Sequence, residues 1–376
     1  MAFAEEGSLT KPFLAMEVLE KAHKLEKEGN KILYMCVGEP DTPTHPAIVD
    51  ACIKAIREGK TRYTHSLGII ELREAISEYY AKRYNISVDP ERIVVSSGTS
   101  PLMLLVFSII NRKVKKIVLT NPCYACYPTY VDFTCGKVEY FNLTPDRNDY
   151  KSLLNVIDKD SALVINSPSN PTGEVIDVQD LKFIGQLKIP IVSDEIYHGL
   201  CYEGEEDTML KYGDEVFIIN GFSKAFSMTG WRLGFCIVPE SYIRELRSLH
   251  QNIIICAPSF VQWAGVSALK YAEEIQENMK KLFSRRRKVL MDGLKDLGLK
   301  YWGNPTGAFY VLVDLRFLKK NSLTISMELL EKYKLAVTPG IDFGTNAEGF
   351  IRLSYATSEE NIIKAIELIK LYINNN

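Results

Sequence analysis

The sequence predicts an α/β protein with two parts: a large domain built on a mostly parallel sheet flanked by helices, and a smaller α+β domain. Between about residues 46 and 240, short apolar strands alternate with helical segments, as in a parallel sheet covered by helices. From 241 to 297 the pattern is nearly all helical, and after the turn at 303–307 strands return with helices between them. A chain of 376 residues is long enough to enclose one large core and a smaller one.

Individual elements follow from the spacing of apolar residues. Apolar side chains recur at helical spacing over residues 13 to 29, which predicts an amphipathic helix, and a short apolar strand is predicted at 32–37. A helix over 46–58 begins with Pro46, a residue favoured in a first turn, and another helix follows the turn at Gly68. The predicted strands of the large domain cover residues 93–95, 117–120, 138–143, 162–166, 189–192, 216–219 and 234–238, and those of the smaller domain cover 308–315, 336–339 and 350–355.

Bulk composition excludes several classes of protein. Hydrophobic residues make up 46% of the chain and charged residues 24%, which is ordinary for a soluble globular enzyme. The net charge of −2 leaves no electrostatic footprint for nucleic acid or for an anionic membrane. No apolar run approaches the roughly 20 residues of a membrane helix, and the N-terminal residues MAFAEEGSLTKPF do not resemble a signal peptide. We therefore expect a cytoplasmic protein that binds neither nucleic acid nor membrane.

The eight cysteines show no regular spacing, so a disulfide framework is not expected. Cys123 and Cys126 form one C-x-x-C pair. A structural zinc site would need a second pair at similar spacing, and the sequence has none. We expect no metal site.

The segment SKAFSMTGWRLG lies between the apolar strands at 216–219 and 234–238. A lysine held between two core strands reaches bulk water poorly, so Lys224 needs a partner or a reason to be neutral. These are the conditions under which an amine serves Schiff-base chemistry, and Arg232, eight residues later, would be a fixed donor for a nearby anion. The alternative is a loop lysine beside a structural arginine.

Three further motifs carry chemistry. Gly98, with Thr99 and Ser100 after it, joins a strand to an apolar helix, a geometry that offers free N–H groups and hydroxyls to a phosphate. Asn170 precedes a proline in a rigid turn that presents its amide at a fixed angle. Asp194 ends an apolar strand, where a carboxylate is costly unless a cation meets it. A helix cap at Asp194, with a packing tyrosine three residues later, is the alternative.

These motifs, in this order, resemble the cofactor-binding signatures of the class I aminotransferases that depend on pyridoxal 5′-phosphate, the aspartate aminotransferase-like family of fold type I. The matching segments are SSGTS, NPTG, DEIY, SKAFSMTGWRLG and RLS, and the likeness runs from about Gly38 to Thr357. It implies a mostly parallel seven-stranded sheet in a large cofactor-binding domain at 46–270. Residues 1–45 and 271–376 would form the small domain with an N-terminal arm.

The resemblance assigns roles to individual residues. It makes Lys224 the Schiff-base amine and proton shuttle, Asp194 the partner of the ring nitrogen, and Tyr197 a donor to the ring oxygen. Cofactor contacts would come from Gly98, Thr99, Ser100, Tyr124, Asn170, Asp194, Tyr197, Ser223, Lys224, Arg232 and Tyr63. Substrate contacts would come from Gly38, Asn170 and Arg352. Tyr124, Tyr197 and Tyr63 are equally explained as packing residues, Gly38 as a plain turn and Arg352 as a surface arginine.

In this family Tyr63 would reach the cofactor phosphate of a partner subunit, which implies a homodimer with shared active sites. The implied activity moves an amino group from an L-amino acid to a 2-oxo acid such as 2-oxoglutarate in a ping-pong cycle. Many relatives have a serine where this chain has Gly221, so Ser223 or Ser100 must compensate. Some aspartate-preferring relatives carry a lysine at Ser100 and small hydroxyl residues at Phe13 and Leu14. The differences at those three positions favour aromatic or aliphatic amino donors.

Other activities remain open. A carbon–sulfur β-lyase or an aspartate-specific aminotransferase could use the same fold and the same residues. A non-enzymatic regulator usually carries an added DNA-binding segment, for which this chain has no spare length. A nicotinamide dehydrogenase would need a G-x-G-x-x-G fingerprint, which does not occur.

Overall fold

The computed structural model describes residues 12–146 and 149–376. Its main feature is a seven-stranded sheet of strand order β2-β8-β7-β6-β5-β3-β4. All adjacent pairs are parallel except those of β8, which runs antiparallel to both of its neighbours. The predicted mostly parallel seven-stranded sheet is confirmed. Its strands are β2 (Ile93–Ser96), β3 (Lys116–Asn121), β4 (Val138–Asn142), β5 (Ser161–Asn166), β6 (Ile191–Asp194), β7 (Val216–Gly221) and β8 (Gly234–Ile237).

Helices lie around this sheet and beyond it. Those before the first large-sheet strand are α1 (Leu14–Lys27), α2 (Pro46–Arg57) and α3 (Ile70–Tyr84). Those between strands of the sheet are α4 (Thr99–Ile110), α5 (Tyr127–Phe133) and α6 (Val178–Gly185). Those after it are α7 (Ile243–Ile253), α8 (Ser259–Lys270), α9 (Ala272–Asp296), α10 (Ser322–Tyr333) and α11 (Glu359–Asn374). In the described part of the chain, no helix combines the length and the apolar character needed to cross a bilayer.

The register of the sheet brings distant segments to one edge. Asn166 pairs with Asp194, and Asp194 with Ile219, so the carboxyl ends of β5 and β6 are level and β7 runs two residues further, to Gly221. Because β8 is antiparallel, its first residue, Gly234, lies opposite both Ser96 at the end of β2 and Gly221 at the end of β7. The turn that follows β2 and the segment that follows β7 therefore meet above the same edge.

The C-terminal part forms a second, smaller α+β layer. Strands β11 (Thr338–Pro339), β12 (Phe350–Ser354) and β9 (Tyr310–Asp314) make an antiparallel sheet in that order. The short strand β1 (Leu33–Tyr34) pairs in parallel with β10 (Leu335–Ala336), and α1 packs against α10. The start of the described chain thus packs with its C-terminal part, as a division into 46–270 and 1–45 with 271–376 requires. Those boundaries stay a prediction.

Two predicted strands differ from the observed ones. The strand expected at 32–37 is limited to Leu33–Tyr34, and the strand expected at 336–339 is divided between β10 and β11, which belong to different sheets. An apolar run shows that a segment is buried, but which neighbour it pairs with depends on the packing of the whole unit. The segment in which a signal peptide was sought lies mostly outside the described residues.

Candidate active site

A cavity of about 280 Å³ opens above the carboxyl ends of β5, β6 and β7. Side chains from both parts of the molecule line it, including Phe13 and Leu19 from the N-terminal segment and Arg352 from β12. Every site residue predicted from the sequence lines this cavity except Gly98 and Tyr63; the lining members are Gly38, Thr99, Ser100, Tyr124, Asn170, Asp194, Tyr197, Ser223, Lys224, Arg232 and Arg352. The fold therefore gathers segments that are hundreds of residues apart into one site.

Lys224 lies in the segment between β7 and β8, with its amine in the cavity. Its Nζ donates a hydrogen bond of 2.6 Å to the carbonyl oxygen of Gly38. Among the described residues, no carboxylate lies within ion-pair distance of this amine. Burial, and then the positive charge of Arg352, lowers the pKa of Lys224 to about 8. About a tenth of the amine is therefore uncharged at pH 7, far more than for an ordinary lysine, and this is the form that nucleophilic or proton-accepting chemistry requires.

Asp194 is the last residue of β6 and is buried. Its carboxylate accepts hydrogen bonds from the Tyr127 hydroxyl at 2.6 Å and from the Ile196 backbone N–H at 3.2 Å. Burial raises the pKa of Asp194 to about 6, although both hydrogen bonds oppose this rise. The bond to Ile196 is the local cap considered from the sequence, but residues 195–199 form a turn and not a helix. A cap alone does not require a carboxylate that faces a cavity.

Arg352 extends from β12 and is only 5% exposed, so the surface interpretation of this residue is wrong. One terminal nitrogen donates to Asn170 Oδ1 at 2.8 Å, and the other donates to the Cys36 carbonyl at 2.7 Å and to Thr338 Oγ1 at 3.2 Å. Its guanidinium lies 4.4 Å from the centre of the Tyr310 ring. Its Nε is buried, and no described residue accepts from it. A fixed guanidinium with an unused donor in a cavity is suited to an incoming carboxylate.

An anion-binding corner lies at the start of α4. Gly98 has φ of 90°, a conformation that favours glycine, and a Cβ there would lie 2.6 Å from a terminal nitrogen of Arg232. Gly98 thus does not line the cavity itself but allows Arg232 to lie against the helix start. Thr99, Ser100 and Ser223 add hydroxyls to the same wall. Helix N-termini with hydroxyls and an arginine bind phosphate groups well.

Two further residues singled out from the sequence, Gly221 and Tyr63, do not line the cavity. A Cβ at Gly221 would lie 3.0 Å from the Gly234 Cα and from the Leu233 carbonyl oxygen, so the backbone there leaves little room for a side chain. Tyr63 is 82% exposed and does not reach the cavity of its own chain. The role predicted for it, a contact with the cofactor phosphate of a second subunit, stays a prediction.

Sequence reasoning missed three residues of the site. Tyr127 bonds to Asp194, and its ring meets that of Tyr124 edge-on at 5.3 Å. The Tyr310 hydroxyl is 2.9 Å from that of Tyr197, and a Cβ at Gly38 would overlap it. Asn166 accepts from the Asn170 N–H at 2.7 Å. The signal for Tyr127 was present, because it lies three residues after Tyr124, but nothing in the sequence pairs Tyr310 with Tyr197.

No group of three or more potential ligands among residues 12–146 and 149–376 is arranged to hold a metal ion. Cys123 is buried and Cys126 is partly buried, and both are free thiols. The pKa of each thiol is raised by burial, which disfavours the thiolate that a metal requires.

Comparison with known proteins gives one consistent result. The sequence model of the family "Aminotransferase class I and II" matches residues 30–369. The chain is 39% identical to the (5-formylfuran-3-yl)methyl phosphate transaminase of Methanocaldococcus jannaschii, with 96% of this chain and 97% of that protein covered. It is 37% identical to the aspartate aminotransferase of Pyrococcus horikoshii, with 98% and 96% covered.

A crystal structure from Methanococcus jannaschii, of a protein whose active site is reported to be similar to those of kynurenine aminotransferases, superimposes with a TM-score of 0.89 at 39% identity. The superposition covers 96% of this chain and 97% of that one. Fold and sequence thus agree over nearly the whole length. The chain belongs to the class I and II aminotransferases and is an aminotransferase that depends on pyridoxal phosphate.

Proposed function

We propose that this aminotransferase moves the amino group of an aromatic or aliphatic L-amino acid to a 2-oxo acid such as 2-oxoglutarate, with Lys224 as the reactive amine. One observation carries the proposal: the Lys224 amine, with a pKa of about 8, shares one cavity with two arginines, Arg232 and Arg352. Two separate cations suit a phosphate at one end and a substrate carboxylate at the other.

The residues of the cavity fit pyridoxal phosphate. The start of α4, with Thr99, Ser100, Ser223 and Arg232, would hold the phosphate. Asp194, buried without a cationic partner among the described side chains, would pair with the ring nitrogen. The bound cofactor supplies an aldehyde for attachment to an amine and a ring that withdraws electrons from the bonds of the substrate's Cα.

The other polar residues of the cavity would serve orientation. Tyr124 offers an aromatic face, and Asn170 and Tyr197 offer donors, for which the cofactor's ring and its phenolic oxygen are suitable partners. Asn170 is held by Arg352 and by Asn166, and Tyr197 by Tyr310. Side chains held in this way need little reorganisation when they bind.

Arg352 and Lys224 would have different roles towards the substrate: Arg352 binds it and Lys224 transfers its proton. The Nε–H of Arg352 and the second N–H of the terminal nitrogen that bonds to Asn170 are the donors left for the α-carboxylate. The Lys224 Nζ, once uncharged, is the base that takes the α-proton and later returns one. The Gly38 carbonyl, which accepts from this Nζ at 2.6 Å, would keep the amine aimed into the cavity.

The proposed preference for apolar amino donors is based on the number of positive charges that line the cavity. The cations that line the described cavity are Lys224, Arg232 and Arg352, and each already has a task. No fourth cation among the described lining residues remains for an acidic side chain. The wall beyond is apolar and includes Phe13, Met16, Leu19, Met103 and Ile196. An aspartate donor, whose short side chain would hold its carboxylate against this wall without a partner, would be strongly disfavoured.

The test measures kcat/KM for phenylalanine, leucine and aspartate, with 2-oxoglutarate as acceptor. We expect the apolar donors to exceed aspartate by about 100-fold, because an unpaired buried charge costs several kcal/mol. Equal values, or a preference for aspartate as the name of the Pyrococcus relative suggests for that protein, would overturn the substrate assignment.

The role of Lys224 is tested in the same assay. Lys224→Ala should abolish turnover and the long-wavelength absorbance of the bound cofactor, whereas Lys281→Ala, which removes an exposed lysine paired with Glu277, should change neither. Survival of turnover in Lys224→Ala would refute the proposal. Release of pyruvate and ammonia from cystathionine without any 2-oxo acid would show a β-lyase instead.

A further inference from the structure

Helix α1 is held at its start by a residue far away in the sequence. Its N-cap, Phe13, provides no side-chain cap. Instead the Asp342 carboxylate accepts hydrogen bonds from the backbone N–H groups of Leu14 at 3.0 Å and Ala15 at 3.1 Å, across 328 and 327 residues of sequence. Two of the four N–H groups that a helix start leaves unpaired are thereby satisfied, and a negative charge lies where the helix dipole favours it.

The helix so held forms part of the active-site wall. Phe13, Ala15, Met16 and Leu19 line the cavity that contains Lys224. They supply much of the apolar cover on which the proposed donor preference depends. A shift of the first turn of α1 would therefore change the shape of the space offered to a donor side chain.

The segment 340–346, which contains Asp342, also contacts the residues that would bind substrate and cofactor. The ring centre of Phe343 lies 4.9 Å from the Arg352 guanidinium. The Phe343 carbonyl accepts from the Cys123 N–H at 2.9 Å, next to Tyr124. One short segment thus links the start of α1, the substrate arginine and the loop that carries the stacking tyrosine.

The surroundings of Asp342 support a positioning role. Its carboxyl faces Glu17 on α1, Arg352 on β12 and Cys126 before α5. Among the described residues, no cation lies within ion-pair distance of it. Its carboxylate is therefore committed to the helix N–H groups. Burial raises the pKa of Asp342 to about 6, so the carboxylate is mostly ionised at neutral pH.

We propose that Asp342 is a positioning residue that fixes the first turn of α1 as the wall for the donor side chain and couples that wall to the carboxylate site at Arg352. This inference rests on the proposed function. Nothing in the sequence signals it, because the two halves of the contact lie at opposite ends of the chain.

The test compares Asp342→Ala and Asp342→Asn with Asp177→Ala and Asp177→Asn. Asp177 caps α6 through the Asp180 N–H at 2.9 Å and is a matched helix-cap carboxylate outside the active-site cavity. We expect Asp342→Ala to raise KM for phenylalanine about tenfold while kcat and cofactor affinity stay near wild type, since a helix cap of this kind is lost. Asp342→Asn keeps one acceptor, so its KM for phenylalanine should rise less than that of Asp342→Ala. Both Asp177 variants should have the wild-type KM.

An unchanged KM in Asp342→Ala, or a loss of cofactor affinity with KM unchanged, would overturn the inference. A second readout covers the case in which Asp342→Ala does not fold. Amide exchange at Leu14 and Ala15 should slow when 3-phenylpropanoate binds to the wild-type holoenzyme, and Asp342→Asn should show a clearly smaller slowing. Equal slowing in both would contradict the coupling.

These results are separable from a failure of the proposed function. The donor panel of the wild-type enzyme alone decides the substrate assignment. Should aspartate prove the best donor, the KM comparison is made with aspartate, and a rise in Asp342→Ala would still support the positioning role. An unchanged KM with the best donor would reject the positioning role whatever that donor is.

Discussion

At the scale of single residues, burial acts in opposite directions on the two ionisable groups at the centre of the cavity. It lowers the pKa of Lys224 to about 8 and raises that of Asp194 to about 6, because a low-dielectric site disfavours the charged form of each. The lysine gains an uncharged fraction near neutral pH. The aspartate needs help to stay ionised, and Tyr127 gives it through a hydrogen bond of 2.6 Å.

Tyr127→Phe tests this support. The hydroxyl favours the ionised form, so its loss should raise the Asp194 pKa above about 6. A carboxylate loses its charge as pH falls through its pKa, so cofactor affinity should begin to fall at a higher pH in the variant than in wild type. A hydrogen bond to a charged group corresponds to a shift of roughly one pH unit. The measurement is the affinity of the apoprotein for pyridoxal phosphate between pH 5 and about 8, the range in which Asp194 titrates.

The control for this variant is Tyr372→Phe. It removes a similar bond, of 2.7 Å, from a tyrosine to Glu328 between α11 and α10, away from the cavity. Its affinity profile should match wild type. A Tyr127→Phe profile that also matches wild type would show that Asp194 needs no help from Tyr127.

At the scale of elements, the corner at the start of α4, which we propose binds the cofactor phosphate, depends on two backbones that nearly touch. A Cβ at Gly234, the first residue of β8, would lie 2.8 Å from the Gly98 carbonyl carbon and from the Thr99 nitrogen. Because β8 runs antiparallel beside β2, this contact is made where α4 begins. The corner is therefore a product of strand pairing as much as of the loop sequence.

Gly234→Ala should disturb this corner. The added methyl pushes against backbone and not against a flexible side chain, so we expect a stability loss of about 1–3 kcal/mol and a weaker affinity for pyridoxal phosphate by about tenfold. Thermal unfolding and a cofactor titration measure the two effects.

Gly230→Ala is the matched change shortly before β8. Apart from Gly230 and its two chain neighbours, no atom of the described residues lies within 4 Å of the added Cβ, so this variant should be neutral in both assays. A Gly234→Ala enzyme with wild-type affinity would show that the corner tolerates displacement.

At the scale of the whole molecule, the site is built by both ends of the chain. Arg352, Tyr310 and Asp342 come from the C-terminal part, and α1 packs against α10 beside them. Tyr63 was predicted as a site residue, but it is 82% exposed and lies outside the cavity of its own chain. We infer that it completes the site of a second subunit in a homodimer.

Mixed dimers test this inference. By itself, the Lys224→Ala variant should have no turnover. The Tyr63→Ala variant by itself should have reduced turnover. When both are unfolded together and refolded, a hybrid dimer contains one site with Lys224 from one chain and Tyr63 from the other. Activity should then rise towards about a quarter of the wild-type level, since half of the dimers are hybrids with one intact site.

No recovery on mixing would show that Tyr63 acts in its own chain or not at all. Refolding each variant alone is the control and should leave its activity unchanged. Sedimentation of the wild-type protein as a monomer would contradict the shared-site inference directly.

The alternation of strands and helices, the mostly parallel sheet and the motif residues at the strand ends could all be predicted from the amino-acid sequence. Those features are local, because a strand end with its glycine, lysine or aspartate is written in consecutive residues. For the same reason the residues that line the cavity could be named from short segments such as SKAFSMTGWRLG and DEIY.

Which of these segments contact one another could not be predicted and is visible only in the folded molecule. Three hydrogen bonds illustrate this. Tyr127 bonds to Asp194 across 67 positions, Tyr310 to Tyr197 across 113, and the first N–H of α1 to Asp342 across 328. An apolar period shows which face of an element is buried but not which partner it meets. Those partners are chosen when the two parts of the molecule pack together, because side-chain contacts between distant segments exist only in the folded chain.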